Sequence, residues 1–123
     1  MQMKQVRGIR GATVLTKDDP VEMRSAVSEL LTQMLSENQL SKSDLISIIF
    51  TATADLKIEF PAVAAREIGL GEIPLLCAVE IDVPGALAKV VRVLMHANTD
   101  KDHKQINHIY LRGAQVLRKD IAQ

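Results

Sequence analysis

Four charged side chains stand in apolar surroundings along this sequence: Arg7 and Arg10 in QVRGIRGATVL, Glu80 near the end of IPLLCAVEI, and Arg92 inside VVRVLM. A guanidinium stays protonated and grips carboxylates through two parallel hydrogen bonds, so such arginines suit an anionic ligand or a structural salt bridge. Periodicity alone leaves both readings open. Cys77 is a candidate nucleophile, yet Leu76 and Ala78 beside it describe an apolar strand without an obvious base, where a thiol behaves as a small hydrophobe. His96, His103 and His108 have no ligand-like spacing and read as loop or surface residues. The chain has no GxGxxG, no P-loop, no paired cysteines and no HExxH, so bound nucleotide and zinc lose support and no metal is expected.

The elements that must position these groups follow from pattern. Gln5 to Leu15 reads as a strand loosened or bulged by its glycines, with Arg7 and Arg10 on opposite faces unless a bulge intervenes. Asp19, Pro20 and Glu22 supply a capping acid, a proline at the first helical position and a glutamate placed to complete a capping box. Ala26, Val27, Leu30, Leu31, Met34 and Leu35 then recur at helical spacing, predicting the longest helix, to about Asn38. After a turn at Ser41 to Asp44, LISIIFTATA predicts a central strand buried on both faces. Pro61 opens a short helix ended by Gly69, and Ile73 to Ile81 predicts another buried strand. Leu87, Val90, Val91, Leu94 and Met95 predict a helix over Pro84 to Asn98, with Arg92 beside its apolar stripe. Gln105 to Leu111 predicts a strand, and Ala114 to Leu117 a further extended piece beyond Gly113.

This order predicts an α+β (α/β-like) domain: a mixed sheet of about five strands on one long and one medium helix. The 123 residues fit a single domain, 1–123, with a short C-terminal tail at about 118–123. A hydrophobic share of 47% is too high for disorder, and a core this small favours oligomer formation to cover an open sheet face. Basic and acidic residues balance at 15 each, and aromatics are limited to Phe50, Phe60 and Tyr110. Neither a polyanion-attracting field nor a stacking platform is present, which argues against nucleic acid as a partner. One cysteine cannot form an internal disulfide, the N-terminus MQMKQVRGIRG has no apolar core of signal-peptide length, and no uninterrupted apolar stretch approaches a membrane span, so the expected location is the cytoplasm, without membrane association.

The stretch RGIRGAT at Arg7 to Thr13 resembles the N-terminal signature of the monofunctional, trimeric chorismate mutases typified in Bacillus. Similar landmarks continue in register: TATADL at Thr51 to Leu56, FPAVAAREIG at Phe60 to Gly69, PLLCAVEIDVPGAL at Pro74 to Leu87, and VRVLMHANTD at Val91 to Asp100. HIYL at His108 to Leu111 and VLRKD at Val116 to Asp120 extend the resemblance from about Val6 to Asp120.

That resemblance implies an isomerase converting chorismate to prephenate in aromatic amino-acid biosynthesis by an intramolecular Claisen rearrangement. It implies no cofactor, and a pseudo-barrel homotrimer whose active sites lie between subunits. The matching positions give Arg92 the ether oxygen, Glu80 the ring hydroxyl, and Arg10 and Tyr110 the side-chain carboxylate. Cys77 matches a pocket cysteine near the ring hydroxyl, with the backbone at Leu76, Ala78 and Val79 lining the same pocket. Phe60, Arg66, Leu117 and Arg118 match the apolar wall and outer basic rim, the tail acting as a partial lid; Arg7 matches a framework position. Val63 stands where relatives often have lysine, and Leu76 where they often have a polar residue. Both departures touch secondary contacts and leave the principal charges in place. A non-catalytic trimeric module binding a small carboxylate metabolite would use the same arginines. A small trimeric imine-hydrolysing deaminase has a similar fold, and RGIRGAT with Glu80, Arg92 and Tyr110 argues against it.

Overall fold

The structure is a computed structural model and describes residues 3–118. Among these residues, β1 (Gln5–Val14), α1 (Pro20–Glu37), β2 (Leu45–Ala52), α2 (Ala62–Glu67), β3 (Leu75–Val79), β4 (Val90–Thr99) and β5 (Ile109–Tyr110) follow in chain order. Short 3-10 turns occupy Lys42–Asp44, His103–Gln105 and Ala114–Leu117. The strands form one mixed sheet in the order β3-β2-β4-β1-β5. β4 lies antiparallel between β1 and β2, whereas β2 with β3 and β1 with β5 pair in parallel. The α+β class read from the sequence, a mixed sheet with two helices, is the architecture the chain adopts.

Helix α1 begins where its capping residues dictate. Asp19 accepts the Glu22 amide hydrogen at 2.8 Å, and Pro20 occupies the first turn, where its missing N–H costs nothing. Only half of the expected capping box forms, because the Glu22 carboxylate instead accepts from the Thr16 amide and hydroxyl and from the Lys17 amide. Met23, Ala26, Val27, Leu30, Leu31 and Met34 face inward at helical period and meet Ile9, Ile48, Phe50, Val91, Val93 and Met95 from one sheet face. Gly11 permits this approach. A Cβ there would stand 2.5 Å from the Met34 sulfur.

The helix predicted over Pro84–Asn98 is instead a loop, residues 80–89, followed by β4. Val91, Val93, Met95 and Ala97 turn inward while Arg92, Leu94, His96 and Asn98 turn outward, so the period is two. Three β-branched valines within four residues favour the strand, and Lys89 breaks a helical path at φ +55. The second helix of the fold is α2, introduced by Pro61 and followed by Gly69 at φ +90.

The two strands read as buried are each covered on one side only among the described residues. β2 buries Ile48 and Phe50 but leaves its alternate residues partly open, and β3 is an edge strand with Leu76 61% exposed. Apolar residues on both faces belong to a sheet with a single helical layer among the described residues. The predicted strand Gln105–Leu111 contracts to Ile109–Tyr110, since a 3-10 turn capped by Asp102 precedes it. Ala114–Leu117 winds as a 3-10 turn after Gly113 rather than extending, the glycine supplying φ +92.

Candidate active site

The sheet face turned away from α1 carries the charged side chains. Register sets Ala12, Arg92 and Thr51 in one row across β1, β4 and β2, with Arg10, Leu94 and Ile49 in the next row along. Arg10 and Arg92 are therefore diagonal neighbours on adjacent strands. Glu80 leaves the end of β3 with its amide donating to the Ala52 carbonyl at 2.9 Å, which folds the chain over the end of β2. Its Oε2 lies 3.3 Å from Arg92 Nε and accepts a hydrogen bond from the Thr51 hydroxyl. The Glu80 side chain is 20% exposed and that of Arg92 43%, so the pair is supported by protein on one side and open on the other.

The start of β4 is fixed by TATADL. Thr53 Oγ1 accepts the Val90 amide hydrogen at 3.0 Å and donates to Asp55, whose carboxylate accepts the Lys89 amide hydrogen at 3.0 Å. Burial draws the Asp55 carboxyl upward, but the bonds from Thr53 and Lys89 outweigh it and hold the group below its ordinary value. An ionised Asp55 thus secures the left-handed Lys89, three residues ahead of Arg92.

Arg10 is positioned from the other end of the sheet. Its amide donates to His108 Nδ1 at 2.9 Å, so Nδ1 is the unprotonated ring nitrogen. Burial, then the charges of Arg10 and Arg118, hold His108 below the usual histidine range. His108 lies in the loop ahead of β5, as the sequence reading expects, and is half-buried there as a partner of Arg10. Tyr110 pairs with Ala12 and is buried against Ala12 and Ala114, with Leu117 packed alongside. The buried Asn38 ties this segment to α1. Its amide donates to the Met34 and Asn107 carbonyls at 2.8 and 2.9 Å, and its oxygen accepts the Asn107 amide hydrogen at 2.8 Å.

The remaining candidates lie elsewhere. Cys77 turns to the covered side of β3 and packs against the core, whereas Leu76 and Ala78 project from the open side. Cys77, Val79 and Phe60 line a separate hollow of ≈ 370 Å³. Phe60 is 68% exposed on a segment held by Asp18, which accepts the Lys57 and Ile58 amide hydrogens, and by the Arg24–Glu59 ion pair at 3.0 Å. Arg66 is exposed on α2. One chain therefore gathers Arg92 and Glu80 with Arg10, Tyr110, Leu117 and Arg118 toward the open side of the sheet, and leaves Cys77 on the covered side of β3, with Phe60 and Arg66 on the segment around α2.

Arg7 falls opposite Arg10, as alternation predicts, and donates from Nε to the Lys101 carbonyl at 3.2 Å. Of the expected tail, residues 119–123 lie outside the described residues. Thr51 was not singled out from the sequence, although a polar β-branched residue closing an apolar run is a signal of the right kind. Among the described residues no cluster of His, Cys, Asp or Glu could hold a metal ion, and no helix is long and apolar enough to cross a membrane.

Residues 6–121 match the family model for chorismate mutase type I. The chain is 48% identical over 117 residues to the chorismate mutase AroH of Thermus thermophilus, an overlap covering 94% of this chain and 96% of that protein. It is 40% identical over 118 residues to the chorismate mutase AroH of Bacillus subtilis, covering 95% and 93%. A solved chorismate mutase from Clostridium thermocellum is similar in structure with a TM-score of 0.88 and 50% identity, covering 89% of this chain and 98% of that one. Agreement in sequence and fold over nearly the whole length meets the resemblance carried by RGIRGAT and its companion motifs: this chain belongs to the chorismate mutase type I family.

Proposed function

We propose that the chain is a cytoplasmic, single-domain chorismate mutase that rearranges chorismate to prephenate in a pocket shared between subunits of a homotrimer. The observation that carries the reaction is the Arg92–Glu80 pair: opposite charges, 3.3 Å apart, on the open sheet face with Arg10 on the neighbouring strand. The substrate is a dianion whose enolpyruvyl arm must fold over its ring before a carbon–oxygen bond breaks and a carbon–carbon bond forms. Holding that compact conformer removes much of the entropic barrier. As the bonds exchange, negative charge grows on the ether oxygen and positive charge on the ring fragment. Arg92 answers the first and Glu80, accepting from the ring hydroxyl, answers the second, so both interactions strengthen toward the transition state.

In this reading Arg10 and Tyr110 hold the side-chain carboxylate, and Leu117 and Arg118 close the outer rim. Phe60, Arg66, Cys77 and the backbone of Leu76, Ala78 and Val79 come from the neighbouring copy. Two observations support the shared pocket: the sheet face without a helical layer among the described residues, and the placement of Cys77 on the covered side of β3, with Phe60 and Arg66 around α2, away from the face that bears Arg92. Purified protein without added metal or cofactor is expected to deplete chorismate absorbance and release prephenate, identified chromatographically. Binding of chorismate without turnover would instead make the chain a carboxylate-binding module.

A further inference from the structure

Thr51 lies in the central part of the sheet, paired with Arg92 on β4 and with Ala78 on β3, and its hydroxyl donates to Glu80 Oε2. A carboxylate only accepts hydrogen bonds, so the hydroxyl proton has one direction in which to point. The β-branched side chain is stiff at χ1, which keeps the hydroxyl in place at little entropic cost. The Thr51 hydroxyl and Arg92 Nε both approach the same carboxylate oxygen, Glu80 Oε2. Arg92 approaches Glu80 through Nε, 3.3 Å from Oε2.

We propose that Thr51 is a positioning residue of the reaction: its hydroxyl anchors Glu80 Oε2, so that Oε1 is presented to the substrate and Arg92 keeps its terminal N–H groups for the developing charge. This rests on the chorismate mutase reading of the site. The alternative is a threonine retained for strand propensity and shape, and Thr51→Val tests it because valine preserves both and removes only the hydroxyl.

Steady-state kinetics on the full chain would compare the parent, Thr51→Val and Thr51→Ser, each checked by thermal unfolding. Anchoring predicts a kcat about tenfold or more lower for Thr51→Val with KM within about threefold, and recovery to within about threefold of the parent kcat for Thr51→Ser. In a Glu80→Ala background, assayed at raised enzyme concentration, the Thr51→Val loss should shrink to less than about twofold, since its target is gone. Unchanged kcat in Thr51→Val, equal loss in the valine and serine variants, or an undiminished loss without Glu80 would each overturn the role of Thr51. A parent protein without turnover would overturn the reaction itself, a separate result.

Discussion

Arg92 Nε lies 3.3 Å from Glu80, and lysine could preserve that ion pair while losing the planar fork that reaches a second acceptor. Arg92→Lys is therefore expected to lower kcat by about a hundredfold or more while the unfolding transition stays near that of the parent, because Arg92 is 43% exposed and packs little. Matched unfolding curves beside parent-like turnover would remove Arg92 from the mechanism. Cys77→Ser should stay within about tenfold of the parent, since the thiol packs against core residues and the rearrangement needs no nucleophile. At this scale the sequence already exposed Glu80 and Arg92 as charges among apolar neighbours. Their common target came from the family resemblance. What stayed hidden was contact: that the Glu80 amide bonds the Ala52 carbonyl, that Thr51 holds Glu80, and that His108 accepts from Arg10 are products of strand register, which no local spacing encodes.

The long helix, β1 and the core of β2 could be read because each carries its own cap or period, and Asp19, Pro20 and the Ala26–Leu35 pattern leave one solution. The segment before Asn98 could not. Its apolar residues satisfy a helical and a strand period together, and the decision falls to pairing with β1 and β2 on either side. The tie between α1 and β5 is another such long-range feature, resting on Asn38 at 1% exposure and its three hydrogen bonds to Met34 and Asn107. Asn38→Ala would strand the Asn107 amide and carbonyl, and a loss of about 2 kcal/mol in urea unfolding is expected. Because Asn107 precedes His108, which bonds Arg10, the same variant should raise KM more than it lowers kcat. Parent-like stability would mean that water replaces the lost partners.

At the scale of the whole molecule, proton binding and assembly test the fold together. His108 is held below its ordinary value in the folded chain, so the unfolded chain takes up the proton first as pH falls through about 6.5, and stability declines from there toward the folded value. Glu22 and Asp44, lowered chiefly by the Thr16 and Ser41 amides, and Asp55, lowered by Thr53 and Lys89 against burial, stabilise the fold above the ordinary carboxylate range and cease to as pH falls through their depressed values. Thermal midpoints should thus fall in two stages on acidification, and His108→Asn should flatten the first while leaving the second. The sheet face that bears Arg92 and Arg10 also carries Leu94, 37% exposed between them in register. If that face meets another copy, Leu94→Lys sets a cation beside Arg10 in an interface while a lone subunit tolerates it at the surface. Sedimentation should then shift from trimer to monomer, circular dichroism should remain parent-like, and turnover should fall with the trimer fraction, because Phe60, Arg66 and Cys77 no longer reach Arg92. A folded Leu94→Lys monomer with parent-like turnover would instead confine the whole reaction to one chain.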